Sequence, residues 1–244
     1  MKRMLCLALV GGLSVLASPV LEAALTFGYF GSIGPARWGD LSPDWKTCST
    51  GREQSPVDFG GATLQSPRYR FTTLVTDYGN TEGEIFNNGH TIEVETKGRN
   101  TLTLGGVRYD LLQFHFHMPS EHTFQGRGYD MELHLVHKSA DGRLAVVGVF
   151  LQRAQSSGPL APIFDRLPNT VDVHEPIHDL FDPSKFLPRV RTHYRYAGSL
   201  TTPPCSEGVS WNMMAEIMPI SDDHLAQFVE RVHSNARPVQ RLFR

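Results

Sequence analysis

The sequence predicts a mainly β fold, one domain over residues 25–244 with short helices at its periphery. Three observations predict it. Between Tyr69 and Leu151, runs rich in alternating apolar and polar residues follow one another, and alternation is the signature of a strand. The chain carries 16 prolines and 22 glycines, too many breakers for long helices. Only one segment, near the C-terminus, shows a clear helical period. Hydrophobic residues make up 40% and charged residues 20%, a balance that supports a sizeable core and excludes a disordered chain.

Taken in order, the chain begins with Lys2 and Arg3 and an apolar run from Met4 to about Val20. Ala17 and Ala23-Ala24 offer small-residue cleavage positions, so residues 1–24 read as a secretory signal peptide. A membrane anchor is the other reading, but the run is short for the ~20 residues a helical span needs. No other segment is apolar enough to cross a bilayer. Cys6 leaves with the signal, and Cys48 and Cys205 remain. In an exported chain an even pair suggests one disulfide; two buried thiols are the alternative. The expected location is therefore the periplasm or the medium, with no membrane span after cleavage.

Residues 25–60 are rich in Gly, Pro, Trp and Ser and read as irregular. Strands are expected at TIEVET (91–96), TLTLGG (101–106), YDLLQFHFHM (109–118), MELHLVHKS (131–139) and LAVVGVFLQ (144–152). Turn residues such as Asn87-Asn88-Gly89 and Asp141-Gly142 punctuate them. A short helix is expected near Pro159–Leu167, and two more strands near 191–200 and 207–217. Residues 168–190 hold four prolines and show no period. The last helix is well signalled: Ser221 can cap it, Asp222 and Asp223 suit its positive end, and Leu225, Phe228, Val229 and Val232 form an apolar stripe. No repeat or linker divides the chain.

Lys and Arg number 23 against 25 Asp and Glu, a formal charge of −2, and no basic run occurs. Duplex binding needs a basic surface, so nucleic acid is excluded as the main partner. The chemistry lies in the histidines. Five of the eleven, His115, His117, His122, His134 and His137, fall between residues 115 and 137. On a strand, Gln113, His115 and His117 point one way and Phe114 and Phe116 the other. On the second strand Glu132, His134 and Val136 share a face. Residues 118–130 contain Pro, Ser and Gly and can return the chain antiparallel, which sets His134 beside the other two. Three neutral imidazoles with no thiolate suit zinc, and a three-ligand set leaves a position open for catalysis. Gln113 and Glu132 each lie two residues before a ligand and can accept the second ring N–H. His122 and His137 break the pattern and read as buried, hydrogen-bonded histidines.

Over nearly the whole mature chain, the sequence resembles the alpha class of carbonic anhydrase. The matching stretches include GPARWGDL (34–41), QSPVD (54–58), NNGHTIEV (87–94), QFHFHMPSEHT (113–123), MELHLVHKS (131–139), YAGSLTTPPC (196–205), VSWNMMAE (209–216) and NARPVQ (235–240). Met118 and Pro119 depart from the vertebrate pattern as bacterial members do. The resemblance implies a central, ten-stranded, mostly antiparallel twisted sheet. It implies reversible hydration of carbon dioxide to bicarbonate and a proton, by attack of a zinc-bound hydroxide followed by proton shuttling to solvent.

Residue by residue, it makes His115, His117 and His134 the Zn2+ ligands, with Gln113 and Glu132 behind His115 and His134. Thr201 accepts the proton of the hydroxide and donates to Glu121, which aims a lone pair at the substrate. Thr202 stands at the bicarbonate position. Val136, Val146, Leu200, Val209 and Trp211 form the apolar wall for carbon dioxide. His90 is the proton shuttle, with Tyr29, Asn88 and also Asn87 ordering the water path. The resemblance further implies a Cys48–Cys205 disulfide and cis bonds at Ser55–Pro56 and Pro203–Pro204, and bacterial members raise a homodimer as a partner. Two other classes compete: a binding module on the same scaffold, and a zinc esterase. The intact set of His115, His117, His134, Glu121 and Thr201 opposes the first, and the narrow apolar wall makes the second a side activity.

Overall fold

The computed structural model describes residues 26–60 and 70–241, so the expected signal peptide lies outside the described residues. Among the described residues fourteen strands form, in chain order β1 Asp58–Phe59, β2 Arg70–Thr73, β3 Val75–Asp77, β4 Thr81–Asn87, β5 Ile92–Lys97, β6 Thr101–Leu104, β7 Val107–His117, β8 Thr123–Phe124, β9 Met131–Ser139, β10 Leu144–Ala154, β11 Glu175–Phe181, β12 Thr192–Ser199, β13 Glu207–Met214 and β14 Met218–Ser221. Strands β1 and β8 pair alone; the others make one 12-stranded sheet with the main path β11-β4-β5-β7-β9-β10-β13-β12-β2. Every pairing in it is antiparallel except β10 with β13 and with β14. The expected large, mostly antiparallel sheet is therefore present, with twelve strands in place of ten. The extra ladders are short marginal ones, such as the three pairs joining β3 to β6.

Each expected strand forms within a few residues of its motif, because its apolar side chains alternate into a common core. Leu133 and Leu135 of β9 and Phe114 and Phe116 of β7 are fully buried in the main core. There Phe116 meets Phe164 and Phe228 at ring-centroid distances of 4.8 and 6.5 Å. A fully buried ring of this size contributes about 1.5–3 kcal/mol. The β6–β7 hairpin turns on Gly105 and Gly106, at φ 56° and 80°; a two-residue turn with both φ positive matches strand twist, and glycine adopts it without a Cβ clash. One irregularity in β7 matters for the site. Leu111 pairs with His137 but Gln113 with Val136, so Leu112 is a bulged extra residue, 43% exposed.

Two sequence expectations need correction. Residues 168–190 hold a strand, β11, where none was read. It is an edge strand carrying Pro176, and of its seven residues only Ile177 is fully buried, so it lacks the alternation that would have revealed it. The C-terminal helix, Asp222–Val232, is capped by Ser221 as expected, but its buried stripe is rotated. Val229 is exposed, and His224 takes its place inward. The His224 ring stacks on Phe164 and hydrogen-bonds to Ser157 Oγ (2.6 Å) and Asp165 Oδ1 (3.0 Å). The Cys48–Cys205 disulfide is formed, with Trp38 in the same apolar cluster. Ser55–Pro56 and Pro203–Pro204 are cis, and so is Met118–Pro119. No helix among the described residues is long and apolar enough to cross a membrane.

His137 lies on the core side of the sheet, fully buried. Its Nδ1–H donates to Ala145 O (3.3 Å), so Nε2 carries the lone pair that accepts from the Tyr78 hydroxyl. Burial pushes the imidazole down to about 4. The unfolded chain therefore takes up a proton near pH 6.5 that the folded one refuses. Stability falls as pH drops through 6.5, and the loss is complete below about 4, at roughly 3 kcal/mol. Urea midpoints measured between pH 7.5 and 4.5 should drop more steeply for the native protein than for His137→Gln. Parallel curves would contradict this.

Candidate metal centre

The register of β7 on β9 builds the centre. Gln113 lies opposite Val136, His115 opposite His134 and His117 opposite Glu132, so the odd positions of one strand and the even positions of the other share a face. The three rings meet with centroids 4.5 to 5.2 Å apart. His117 and His134 are buried and His115 is partly accessible. One nitrogen of each ring is already committed as a donor. His115 Nδ1–H donates to Gln113 Oε1 (2.8 Å), His117 Nδ1–H to Asn235 O (2.9 Å) and His134 Nε2–H to Glu132 Oε1 (2.6 Å). The remaining lone pairs, on His115 Nε2, His117 Nε2 and His134 Nδ1, are left free. His117 Nε2 is buried with no hydrogen-bond partner. The three residues offer ligand atoms within 4.8 Å of one another. Burial, then the neighbouring imidazoles, hold His115 well below the usual histidine range; burial likewise lowers His117. Neutral rings with converging lone pairs are what a divalent metal requires.

Two other groupings of ligand-type side chains fit less well. Glu132 carries the second, with His122 and His134, but its oxygens are spent. They accept from His122 Nδ1 (2.7 Å), His134 Nε2 and the N–H groups of Glu121 (3.0 Å) and His122 (2.8 Å). Burial would raise this carboxyl, yet His122 and His134 hold it well below the usual range. His122 is thus structural, as read, with its other nitrogen on Tyr196 Oη (2.6 Å). The third grouping, Glu84, Glu95 and His174, lies at the surface, and Lys97 already neutralises Glu84.

Of the other expected residues, the apolar ones line up on the neighbouring strands. Val136 pairs with Val146 and Val146 with Trp211, while Val209 pairs with Gly198. With Leu200 they belong to one apolar cluster, distinct from the main core. The Trp211 ring stands 4.8 Å from that of His134. Thr201 is buried and Thr202 half-buried in the loop after β12, where Thr202 O accepts from Cys205 N (2.9 Å). Glu121 is buried; its Oε1 accepts from Arg237 N (2.8 Å), while Oε2 has no partner. The expected bond from Thr201 to that oxygen is not formed.

His90 follows Gly89, which at φ 79° makes the turn possible. Asn88 Oδ1 accepts from the N–H groups of His90 (3.0 Å) and Thr91 (2.9 Å), fixing the turn. Asn87 is buried; it donates to Arg231 O (3.3 Å), and its Oδ1 accepts from Gly89 N (2.8 Å) in the turn. The His90 ring is half-buried and stacks on Phe27 at 3.9 Å and 9°. Burial lowers its pKa, and the Asp172 charge partly opposes this. Tyr29 packs edge-on against Phe27 and Trp38, and burial, reinforced by Glu121, keeps its hydroxyl protonated.

Residues 33–244 match the family model for eukaryotic-type carbonic anhydrase. The chain belongs to that family, the alpha class. A carbonic anhydrase from Nostoc sp. is 42% identical over 231 residues, 94% of this chain and 88% of its own length. Among solved structures, the alpha-carbonic anhydrase of Thermovibrio ammonificans in complex with the inhibitor sulfanilamide is 40% identical with a TM-score of 0.85, covering 90% of this chain and 97% of that one. Dioscorin complexed with ascorbate is also similar, at 32% identity and a TM-score of 0.81, covering 89% and 94%. The alpha-carbonic-anhydrase fold thus serves this chain's metal-type centre and apolar wall together.

Some contributors escaped the sequence reading. Glu93 pairs with His115 across β5 and β7, and its Oε2 accepts from Asn88 Nδ2 (3.1 Å). Burial, then Glu95, push its carboxyl up to about 7. A glutamate in an alternating strand carries no mark of this position. Asn235 and Arg237 escaped as well, because they act from a distant irregular segment. Phe27 was unread, since a lone aromatic at the start of a loop signals nothing by itself.

Proposed function

We propose that this carbonic anhydrase holds Zn2+ on His115, His117 and His134 and catalyses the reversible hydration of carbon dioxide to bicarbonate and a proton. The observation that carries the reading is the convergence of three free imidazole lone pairs, one of them buried and unpartnered, beside the apolar cluster that holds Trp211. A zinc ion held there supplies a Lewis acid that makes water acidic enough to ionise near neutral pH, the established behaviour of this enzyme class. Everything else is done by the chain. Val136, Val146, Leu200, Val209 and Trp211 offer a linear uncharged substrate an apolar surface and exclude water. Once the Thr201 hydroxyl turns to donate a hydrogen bond to Glu121 Oε2, a bond not formed in this structure but whose acceptor is free, its oxygen can only accept from the attacking oxygen. That fixes which lone pair faces carbon dioxide. Thr202 borders the place where bicarbonate forms. Residues 1–24 act as a cleaved signal and direct the chain to the periplasm or the medium, a reading the Cys48–Cys205 disulfide supports.

Stopped-flow hydration of carbon dioxide tests the reading directly. Rapid turnover that disappears on chelation and returns with zinc is expected. A metal-replete protein without hydratase activity would favour the binding-module reading, for which the dioscorin–ascorbate likeness is the precedent.

His90 carries protons from the centre to solvent in this scheme. A group titrating near neutrality is needed, and imidazole supplies it. Its half-buried ring lies flat on Phe27, next to the turn that Asn88 holds. His90→Ala should lower kcat on the order of 10-fold at low buffer and leave kcat/KM within twofold. Added imidazole should restore most of the rate. Parallel loss of both parameters without buffer rescue would remove His90 from the path.

A further inference from the structure

The groups that aim the metal centre trace back to one side chain that takes no part in it. Asn235 O accepts from His117 Nδ1, and two residues on, Arg237 N donates to Glu121 Oε1. One short segment therefore orients both a ligand and the carboxylate of the threonine relay. Asn235 also donates to His90 O and Phe116 O (both 2.9 Å). What holds this segment is the guanidinium of Arg237, 2% exposed. Nη1 donates to Ser55 O (2.7 Å), and Nη2 to Cys48 O (3.0 Å) and Gln54 Oε1 (2.9 Å), with Trp38 5.6 Å away across its face. Gln54 passes the contact on, donating to Cys205 O (3.1 Å).

A buried guanidinium is costly to desolvate, and an apolar side chain would fill the space without that cost. Its planar fork does what an apolar group cannot. It fixes three acceptors in set directions, and so fixes its own backbone. Both carbonyls it grips belong to the stretch running from the disulfide to Pro56, and Gln240 N donates to Pro56 O (2.8 Å) just beyond. We infer that Arg237 is a positioning residue: it clamps residues 235–237 to the disulfide-bonded Cys48–Pro56 stretch, and thereby aims His117 at the metal and Glu121 at Thr201. Its effect on turnover rests on the hydratase reading; its effect on metal binding does not.

Arg237→Lys keeps the charge and loses the fork, and tests the inference in three ways. Zinc release to a chelator should be about 10-fold faster than in the native protein, as for loss of an outer partner of a metal ligand. The visible spectrum of the cobalt-substituted protein should change in band position or intensity. Hydratase kcat/KM should fall about 10-fold in the native background and by clearly less in a Glu121→Gln background, because the Glu121 route is then already broken while the His117 route remains. A lower melting temperature with unchanged zinc release and cobalt spectrum would overturn the inference, as would equal activity losses in both backgrounds. If the lysine variant does not fold, Gln54→Leu removes one acceptor and leaves the charge. It should speed zinc release about threefold and shift the cobalt spectrum in the same sense; no change in either sinks the idea. A native protein that binds metal but does not hydrate carbon dioxide would defeat the functional reading alone, and zinc release and the cobalt spectrum would still decide on Arg237.

Discussion

His117→Ala is expected to reduce carbon dioxide hydration to near background, a loss of about 10³-fold or more. The argument starts from its hydrogen bond. His117 Nδ1 is committed to Asn235 O, so its Nε2 can serve only as an acceptor or a ligand, and it is buried with no acceptor role to play. Removing the ring deletes one of three donors, and nothing nearby can replace it. The neighbouring carboxylate, Glu121 Oε1 at 3.5 Å from Nδ1, already accepts from Arg237. Partners one step removed from a metal cost 10- to 100-fold when lost, so a ligand costs more. Metal content by elemental analysis should fall together with the rate. A variant retaining stoichiometric zinc and more than a tenth of the activity would show that the metal sits elsewhere.

The second large effect is at Glu121. Glu121→Gln should lower turnover about 100-fold while zinc stays bound, since misplacing a reacting group by about 1 Å has that consequence. The substitution is well matched to the geometry. A glutamine oxygen can still accept from Arg237 N, so the backbone bond survives. Its amide nitrogen then points where Oε2 was and can only donate. In the proposed relay Thr201 would then meet a donor where an acceptor is needed, and would have to accept from the amide and offer its proton to the attacking oxygen. Thr201→Ala should match it in size, and the double variant should be little worse than either single one. Full activity in Glu121→Gln, or loss of metal from both, would contradict the relay.

Much of this centre could be read in the sequence because two-residue spacing on strands is a strict geometric rule. His115 and His117 had to share a face, and the Gly-containing return of residues 118–130 was enough to bring His134 alongside. The large sheet was legible for the same reason, since TIEVET and MELHLVHKS alternate cleanly. What failed to show was whatever lacked a period. The edge strand β11 buries too little to alternate. The helix stripe turned because His224 found two polar partners, Ser157 and Asp165, that no periodicity reveals. Arg237 and Asn235 stayed hidden for a related reason. Their contacts with His117 and Glu121 run through backbone atoms, which every residue has, and at sequence separations above 110. Glu93 looked like an ordinary solvent-facing glutamate until register placed it opposite His115.

The extra residue in β7 has a meaning beyond local irregularity. Counting by twos from Tyr109 gives Leu111, Gln113, His115 and His117, yet Tyr109 and Leu111 belong to the main core, whereas the last three face the opposite way. The strand is two half-strands joined out of phase, and Leu112 is the joint. Without it, Tyr109, Leu111, Phe114 and Phe116 would alternate perfectly on the core side and the imidazoles would keep their present face. Deleting Leu112 would therefore leave inside and outside unchanged and alter only the angle, because a bulge adds right-handed coil to the strand that bears it. Such a deletion variant separates two properties that strands usually confound. If the protein folds with its core intact but binds zinc weakly, the direction of the imidazoles is set by curvature and not by which side of the sheet they occupy.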